Sequence, residues 1–290
     1  MLSLSLAALL VSCPTLPGES LDLVPDSATA IVGADVDRIV GTALGRALVH
    51  GLEADLDAGE ALAILDECGV ALDRVDEVWL ARDAGEGRLL FARAEALAQP
   101  ETLTCIAGEL RARDRGREPW THLGSGEVDD CITLAPSGGD SRAWISGDTL
   151  IWARGSMVEA IEQPGRPSRL VAAIDRSAHA WIAATLDAPS WAIEARSLVA
   201  AIELEREGRP GLWARFALGA EDVAAAATLR DRTLALIARF ADHLDALGVE
   251  HRLRERAGVG MREGSVSGEL ELDARELEQI HAKLSGAGLF

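Results

Sequence analysis

A repeat within the chain constrains its fold more than any other feature. Residues 27–37 read SATAIVGADVD and residues 177–187 read SAHAWIAATLD, so at a constant offset of 150 the segments share a serine, three alanines and the final aspartate. The apolar positions agree as well. Two copies of one segment in 290 residues predict two units of similar plan and ordinary domain size. In each copy alternate apolar residues, Ala30, Val32, Ala34 and Val36 or Ala180, Ile182, Ala184 and Leu186, predict an opening β-strand with that side turned toward a core.

The same succession follows both copies. Ile39, Val40, Ala43, Leu44, Ala47 and Leu48 recur at helical spacing, and ALAILDECG stops on Gly69. VDEVWLARDAGEGRLLFARAE reads as two strands about a glycine-containing turn, and Pro100 opens a helix through Leu103, Ile106 and Leu110. SRAWISGDTLIWA reads as a hairpin turning on Gly147-Asp148, and Ser156 with Glu159 forms a capping box. After the linker EQPGRPSR the second half offers the strand GLWARFAL, a long helix from about Glu221 to Leu247 stopped by Gly248, a closing hairpin, and a last helix opened by Asp273 and Glu276. This succession predicts an α+β fold: two tandem ferredoxin-like (split βαβ) modules, residues 21–166 and 167–290, with antiparallel sheets and helices on one face only. In that plan the two helices of a module lie side by side. The end of the first, at Cys68, then comes near the first turns of the second, at Cys105, and a Cys68–Cys105 disulfide is expected, with Cys131 left over.

Leu2 to Val11 has the length of a signal-peptide core and falls far short of the roughly 20 residues that span a bilayer. Leu10-Val11-Ser12-Cys13 resembles a bacterial lipobox, which implies cleavage after residue 12, a lipid on Cys13 and a tether over 13–20. The stretch before it departs from the usual pattern in having no Lys or Arg. An ordinary cleaved signal would export the chain equally. Export permits disulfides, and several acyl chains on Cys13 would anchor the protein stably where one would not.

A net charge of -19, with Lys283 the single lysine, argues against nucleic acid and against a polybasic membrane patch. DECGVALDRVDEVWLA, PETLTC and the later LWARFALGAEDVAAAA resemble uncharacterised bacterial envelope lipoproteins with two α+β repeats. The resemblance spans most of residues 20–285, its motifs are structural, and it implies location and fold without an activity.

Catalytic and metal chemistry find little support. His50, Glu53 and Asp57 share a helix face but lie opposite its apolar stripe, where polar residues are expected anyway, and no H-E-x-x-H or paired C-x-x-C is present. GSGEVDD and GGDSRA place serine beside glycine and acid without a nucleophile elbow, and no histidine stands out as a base. No glycine-rich loop ends in Lys-Ser or Lys-Thr. No cofactor is expected. The arginines of HRLRERAGVGMR fit cross-strand pairing: a turn at Glu263-Gly264 sets Arg262 opposite Ser265, Arg256 opposite Glu271 and Arg254 opposite Asp273.

Tryptophan is the more informative residue. Trp79, Trp144, Trp181 and Trp213 are out of phase with the apolar alternation of their strands, so a sheet with helices on one face would turn them to the other. Bare tryptophan is unusual, and either further structure or a partner must cover it. Trp144 with Ile151, Trp79 and Trp213 are the candidate partner-binding residues. The resulting expectation is a non-enzymatic lipoprotein of the bacterial envelope, on the periplasmic face of the outer membrane or at the cell surface, that holds an envelope protein, peptide or glycan on open sheet. An exported hydrolase or inhibitor-like accessory protein is the alternative.

Overall fold

The structure is a computed structural model that describes residues 19–42, 45–46, 67–71, 74–113, 120–125, 132–136, 140–163, 165–186 and 195–286. Cys13, the signal and tether up to residue 18, His50, Glu53, Asp57 and Cys131 lie outside the described residues.

Among the described residues twelve strands form one antiparallel sheet. In the first half these are β1 (Ala30–Asp35), β2 (Val75–Arg82), β3 (Arg88–Ala94), β4 (Trp120–Ser125), β5 (Ile132–Pro136), β6 (Ser141–Ser146) and β7 (Thr149–Arg154). The second half holds β8 (Ala180–Thr185), β9 (Ser197–Arg206), β10 (Arg209–Gly219), β11 (Gly258–Arg262) and β12 (Ser265–Asp273). Across the sheet the order is β11-β12-β10-β9-β8-β1-β2-β3-β7-β6-β5-β4. Among the described residues the helices are α1 (Val36–Gly41), α2 (Pro100–Arg113), α3 (Ser156–Glu162), α4 (Val223–Ala246), α5 (Leu253–Arg256) and α6 (Ala274–Gly286).

The two repeated segments are β1 and β8, and they pair with each other at the centre. Val32 faces Ile182, its own counterpart at offset 150, while Ala30 faces Ala184 and Ala34 faces Ala180. A pseudo-two-fold axis therefore passes between Val32 and Ile182 and relates β1-β2-β3-β7 to β8-β9-β10-β12. Side-chain size is matched across it. Trp181 lies over Gly33, where an added Cβ would stand 2.7 Å from the Trp181 ring, and Ile31 faces Ala183.

This order corrects the ferredoxin-like expectation. In a split βαβ module the first strand lies between the third and fourth, whereas here β1 pairs with β2 and with β8, and β3 pairs with β7. The mixed α+β class and the antiparallel pairing hold. The helices do not keep to one face, and this too is a correction. On one face α2 packs with Val75, Ala94 and Leu97, and α4 with Leu218 and Val266. The opposite face is covered in the first half by Leu21, Val24, Met157, Ile161, Val171 and Ile174, from the 3-10 turns Ser20–Leu23 and Val171–Ala173 and from α3. The presumed linker belongs to this cover, because Ser168 donates its backbone N–H to Val24 and Pro167 bridges Pro25.

Local signals explain most element ends. Asp222 caps α4 by accepting the Ala225 N–H at 2.7 Å, and Gly248 takes φ 69° beyond its end. Asp273 and Glu276 form a reciprocal capping box at 3.0 and 2.7 Å. At α3 the expected box is absent: Gly155 is the N-cap, and the Ser156 hydroxyl donates to Asp83 instead. The arginine register is right for Arg262 and Ser265. Arg256, in α5, reaches Glu271 at 3.6 Å, but Arg254 pairs with Asp242 and Asp245 and not with Asp273.

Asp83 ties the β2–β3 turn to α3. Its carboxylate accepts the N–H groups of Gly85 at 2.8 Å and Gly87 at 3.0 Å as well as the Ser156 hydroxyl, and the Ser156 bond above all holds its pKa below the usual carboxylate range. A carboxyl depressed by folding stabilises above its unfolded pKa near 4, and that contribution is lost as pH falls through the folded value. Asp83→Asn is therefore expected to cost about 1 kcal/mol at neutral pH and to shrink the acid-induced loss below pH ~4. Urea titrations at pH ~7 and ~3 check this; an equal deficit at both pH values would contradict it.

Candidate functional site

The register brings three of the four candidate binding residues into one row across the sheet. Trp144 faces Ile151, Ile151 faces Phe91, Phe91 faces Trp79, and Trp79 faces Gly33, on which Trp181 lies. Phe91 and Trp79 stack with ring centroids 5.1 Å apart. This row is core and not an open surface. Trp144, Ile151 and Trp79 are each 1% exposed and Trp213, one row away, 8%. The tryptophans do point away from the α2 and α4 side, as their phase predicted, but the segments before β1 and β8 and helix α3 cover the main row. Of the three indoles in this row, that of Trp79 donates its N–H to the Ser20 hydroxyl at 3.3 Å. The N–H groups of Trp144 and Trp181 are buried without a partner among the described residues.

At the edge of this face a cleft of about 520 Å³ is lined by Glu19, Asp35, Asp37, Asp76 and Glu77, with Arg93 and Arg176 among them. An exported hydrolase would need such a place. Three of its carboxylates already hold structure together. Asp35 caps α1, accepting the Arg38 N–H at 3.0 Å; Glu77 accepts the Ser20 hydroxyl at 2.8 Å and lies 3.8 Å from Arg93; Glu19 pairs with Arg176. No group of three or more metal-ligating side chains occurs among the described residues.

Open sheet surface is found on the other face, at the pseudo-two-fold axis. Val32 is 47% exposed and Leu80 38%. The sequence alternation had placed Val32 toward a core, whereas its neighbours Ile31 and Gly33 are the buried residues and Val32 is uncovered. Its row runs Trp152, Leu90, Leu80, Val32, Ile182 and on through Ala200 to Phe216, apolar on seven adjacent strands. At about 4.8 Å between strands this is a strip ~29 Å long. Helices α2 and α4 flank it, α2 packing on Val75 and Ala94 of β2 and β3 and α4 on Leu218 and Val266 of β10 and β12.

Beside the first half of the strip is a row of arginines. Arg82 faces Arg88 and Arg88 faces Arg154, on the same side of the sheet as Leu80, Leu90 and Trp152. Arg154 lies 3.4 Å from Asp140, and among the described residues neither Arg82 nor Arg88 has a carboxylate partner. Like charges directly opposite destabilise a sheet by roughly 0.2–1 kcal/mol. Arg88→Thr is therefore expected to leave stability unchanged or raise it by up to about 1 kcal/mol at low salt, and the gain should vanish near 1 M salt, where the screening length is ~3 Å. A destabilised Arg88→Thr protein would show that the row is structural.

The pseudo-symmetry isolates what is special about this row. The positions in β9, β10 and β12 equivalent to Arg82, Arg88 and Arg154 carry Ile202, Ala214 and Leu270. Leu270 packs with the α4 and α6 cluster, and α4 has 24 residues where α2 has 14. The fold thus accommodates apolar residues at these sites, at Leu270 beneath a helical cluster. The Arg82–Arg88 pair could have been found in LARDAGEGRLL, since a turn over residues 83–87 sets the two opposite; Arg154 joins them only through the β3–β7 pairing.

Set against family models, curated proteins and solved structures, the chain matches none of them.

Proposed function

We propose that this chain is a non-enzymatic lipoprotein of the bacterial envelope, anchored through Cys13, that binds another envelope component on open sheet surface. The observation that carries the binding part is the apolar strip whose centre, Val32 and Leu80, is exposed, with arginines along one side. The surface differs from the one first expected: the tryptophan row is spent on the core. The Cys68–Cys105 disulfide is consistent with export to an oxidising compartment. Among the described residues no helix is long and apolar enough to cross a membrane, so under this reading attachment rests on the lipid.

Two measurements test the two parts. Palmitate labelling should be lost in Cys13→Ser protein, and labelling that persists would refute the anchor. A photo-crosslinking amino acid placed at Val32 or Leu80 in living cells should give adducts that the same group at Met261 does not. Met261 is 39% exposed and so comparable in access. Equal adducts from all three positions would remove the support for a binding surface.

A further inference from the structure

We propose that the central strip holds an anionic acyl lipid, its charged headgroup between Arg82 and Arg88 and its hydrocarbon chain running from Leu80 over Val32 to Ile182. The inference rests on reading this face as the binding surface, and it names the ligand.

Charge is the first argument. The chain has 47 acidic and 28 basic side chains among Asp, Glu, Lys and Arg, yet Arg82 and Arg88 stand opposite each other with no carboxylate partner among the described residues. Since the equivalent sites in the second half are apolar, the fold itself does not call for cations there. An anion lying between two facing guanidiniums would turn their repulsion into paired charge-assisted hydrogen bonds, and arginine suits phosphate and carboxylate groups for that reason.

Juxtaposition is the second. The arginines are two residues along each strand from Leu80, Leu90 and Trp152, hence about 7 Å away on the same face. A ligand that satisfies both must be anionic at one end and apolar along the rest.

Shape is the third. Adjacent strands rotate by roughly 20–25°, so over the four strands from Leu90 to Ile182 the strip turns through about 60–75°. A straight amphipathic helix would touch only part of such a strip. A flexible hydrocarbon chain can follow it.

The test uses the full chain and dodecyl phosphate below its micellar concentration, followed by equilibrium dialysis and tryptophan fluorescence. Saturable binding is expected, with inorganic phosphate bound at least about tenfold more weakly because it lacks the chain. The Arg82→Gln/Arg88→Gln variant, altered at two exposed positions, should lose about tenfold or more in affinity. Val32→Asp should lose binding while Met261→Asp keeps it. Equal affinity for inorganic phosphate, or unchanged affinity in the double arginine variant, would overturn the proposal. If dodecyl phosphate does not bind but crosslinks from Val32 still capture a protein or glycan, the lipid is refuted and the binding surface stands; absence of both refutes the two together.

Discussion

Trp144→Ala is expected to lower the free energy of unfolding by about 3–5 kcal/mol, the cost of a large cavity in a packed core. The ring is 1% exposed, sits opposite Ile151 and belongs to the cluster that joins the sheet to Leu21, Val24, Met157, Ile161 and Val171. Removing it takes away the floor on which three separate segments meet. Trp144→Phe should cost far less, about 1 kcal/mol, because it keeps an aromatic ring and deletes an indole N–H that has no hydrogen-bond partner. The two variants separate the core role from a surface role. A binding anchor at Trp144 would make Trp144→Ala nearly neutral for stability and costly for binding. The core role predicts a large drop in the urea midpoint, with dodecyl phosphate binding retained in the Trp144→Phe protein.

How the tryptophans are covered shows which parts of this fold were legible. Phase along a strand is local, and it turned Trp79, Trp144 and Trp181 to the correct side. What covers that side is not local. EQPGRPSR has the composition of a linker, yet the Ser168 N–H bonds to Val24 and its neighbours pack on the sheet. The reason lies in the repeat itself. Leu21 and Val24 before β1 stand at the same offset of 150 from Val171 and Ile174 before β8, and all four are buried in one cluster. The repeat is thus longer than its identical residues suggest, since apolar character and not identity is conserved between the copies. Most hairpins and caps were legible because each is decided within a few residues: Gly147-Asp148, Gly248 and the Asp273–Glu276 box stand where expected, whereas the Ser156–Glu159 box fails because the Ser156 hydroxyl is drawn to the distant Asp83. Strand order was not, because nothing local says that two opening strands should pair with each other. The open strip lies at that pairing: Val32 and Leu80 are exposed between one cluster that packs on Ala34, Val75 and Val78 and another that packs on Leu198, Leu218 and Val266.

Reduction of Cys68–Cys105 supplies the second large effect, and one that acts in a different place. The bond joins residues 37 apart, and a loop of that length is expected to stabilise the folded state by about 4 kcal/mol through the unfolded chain. For a protein of this size that amounts to a fall in melting temperature of roughly 10 °C. The sulfurs lie in the cluster of Val36, Val70, Val75, Ala94, Leu97 and Ile106, apart from the tryptophan core. Hydrogen exchange after reduction should therefore rise first in β2 near Val75 and in α2, while the amides of Ile31, Trp79 and Ile151 keep their protection. Peptide mapping under non-reducing conditions should join Cys68 to Cys105, and free thiol at both would end the proposal of a native bond. Cys68→Ser and Cys105→Ser should each reproduce the loss, and the double variant should add almost nothing to it, because either substitution alone already opens the loop. A double variant much less stable than both singles would mean that the cysteines contribute as buried apolar side chains in this cluster and not through the bond between them.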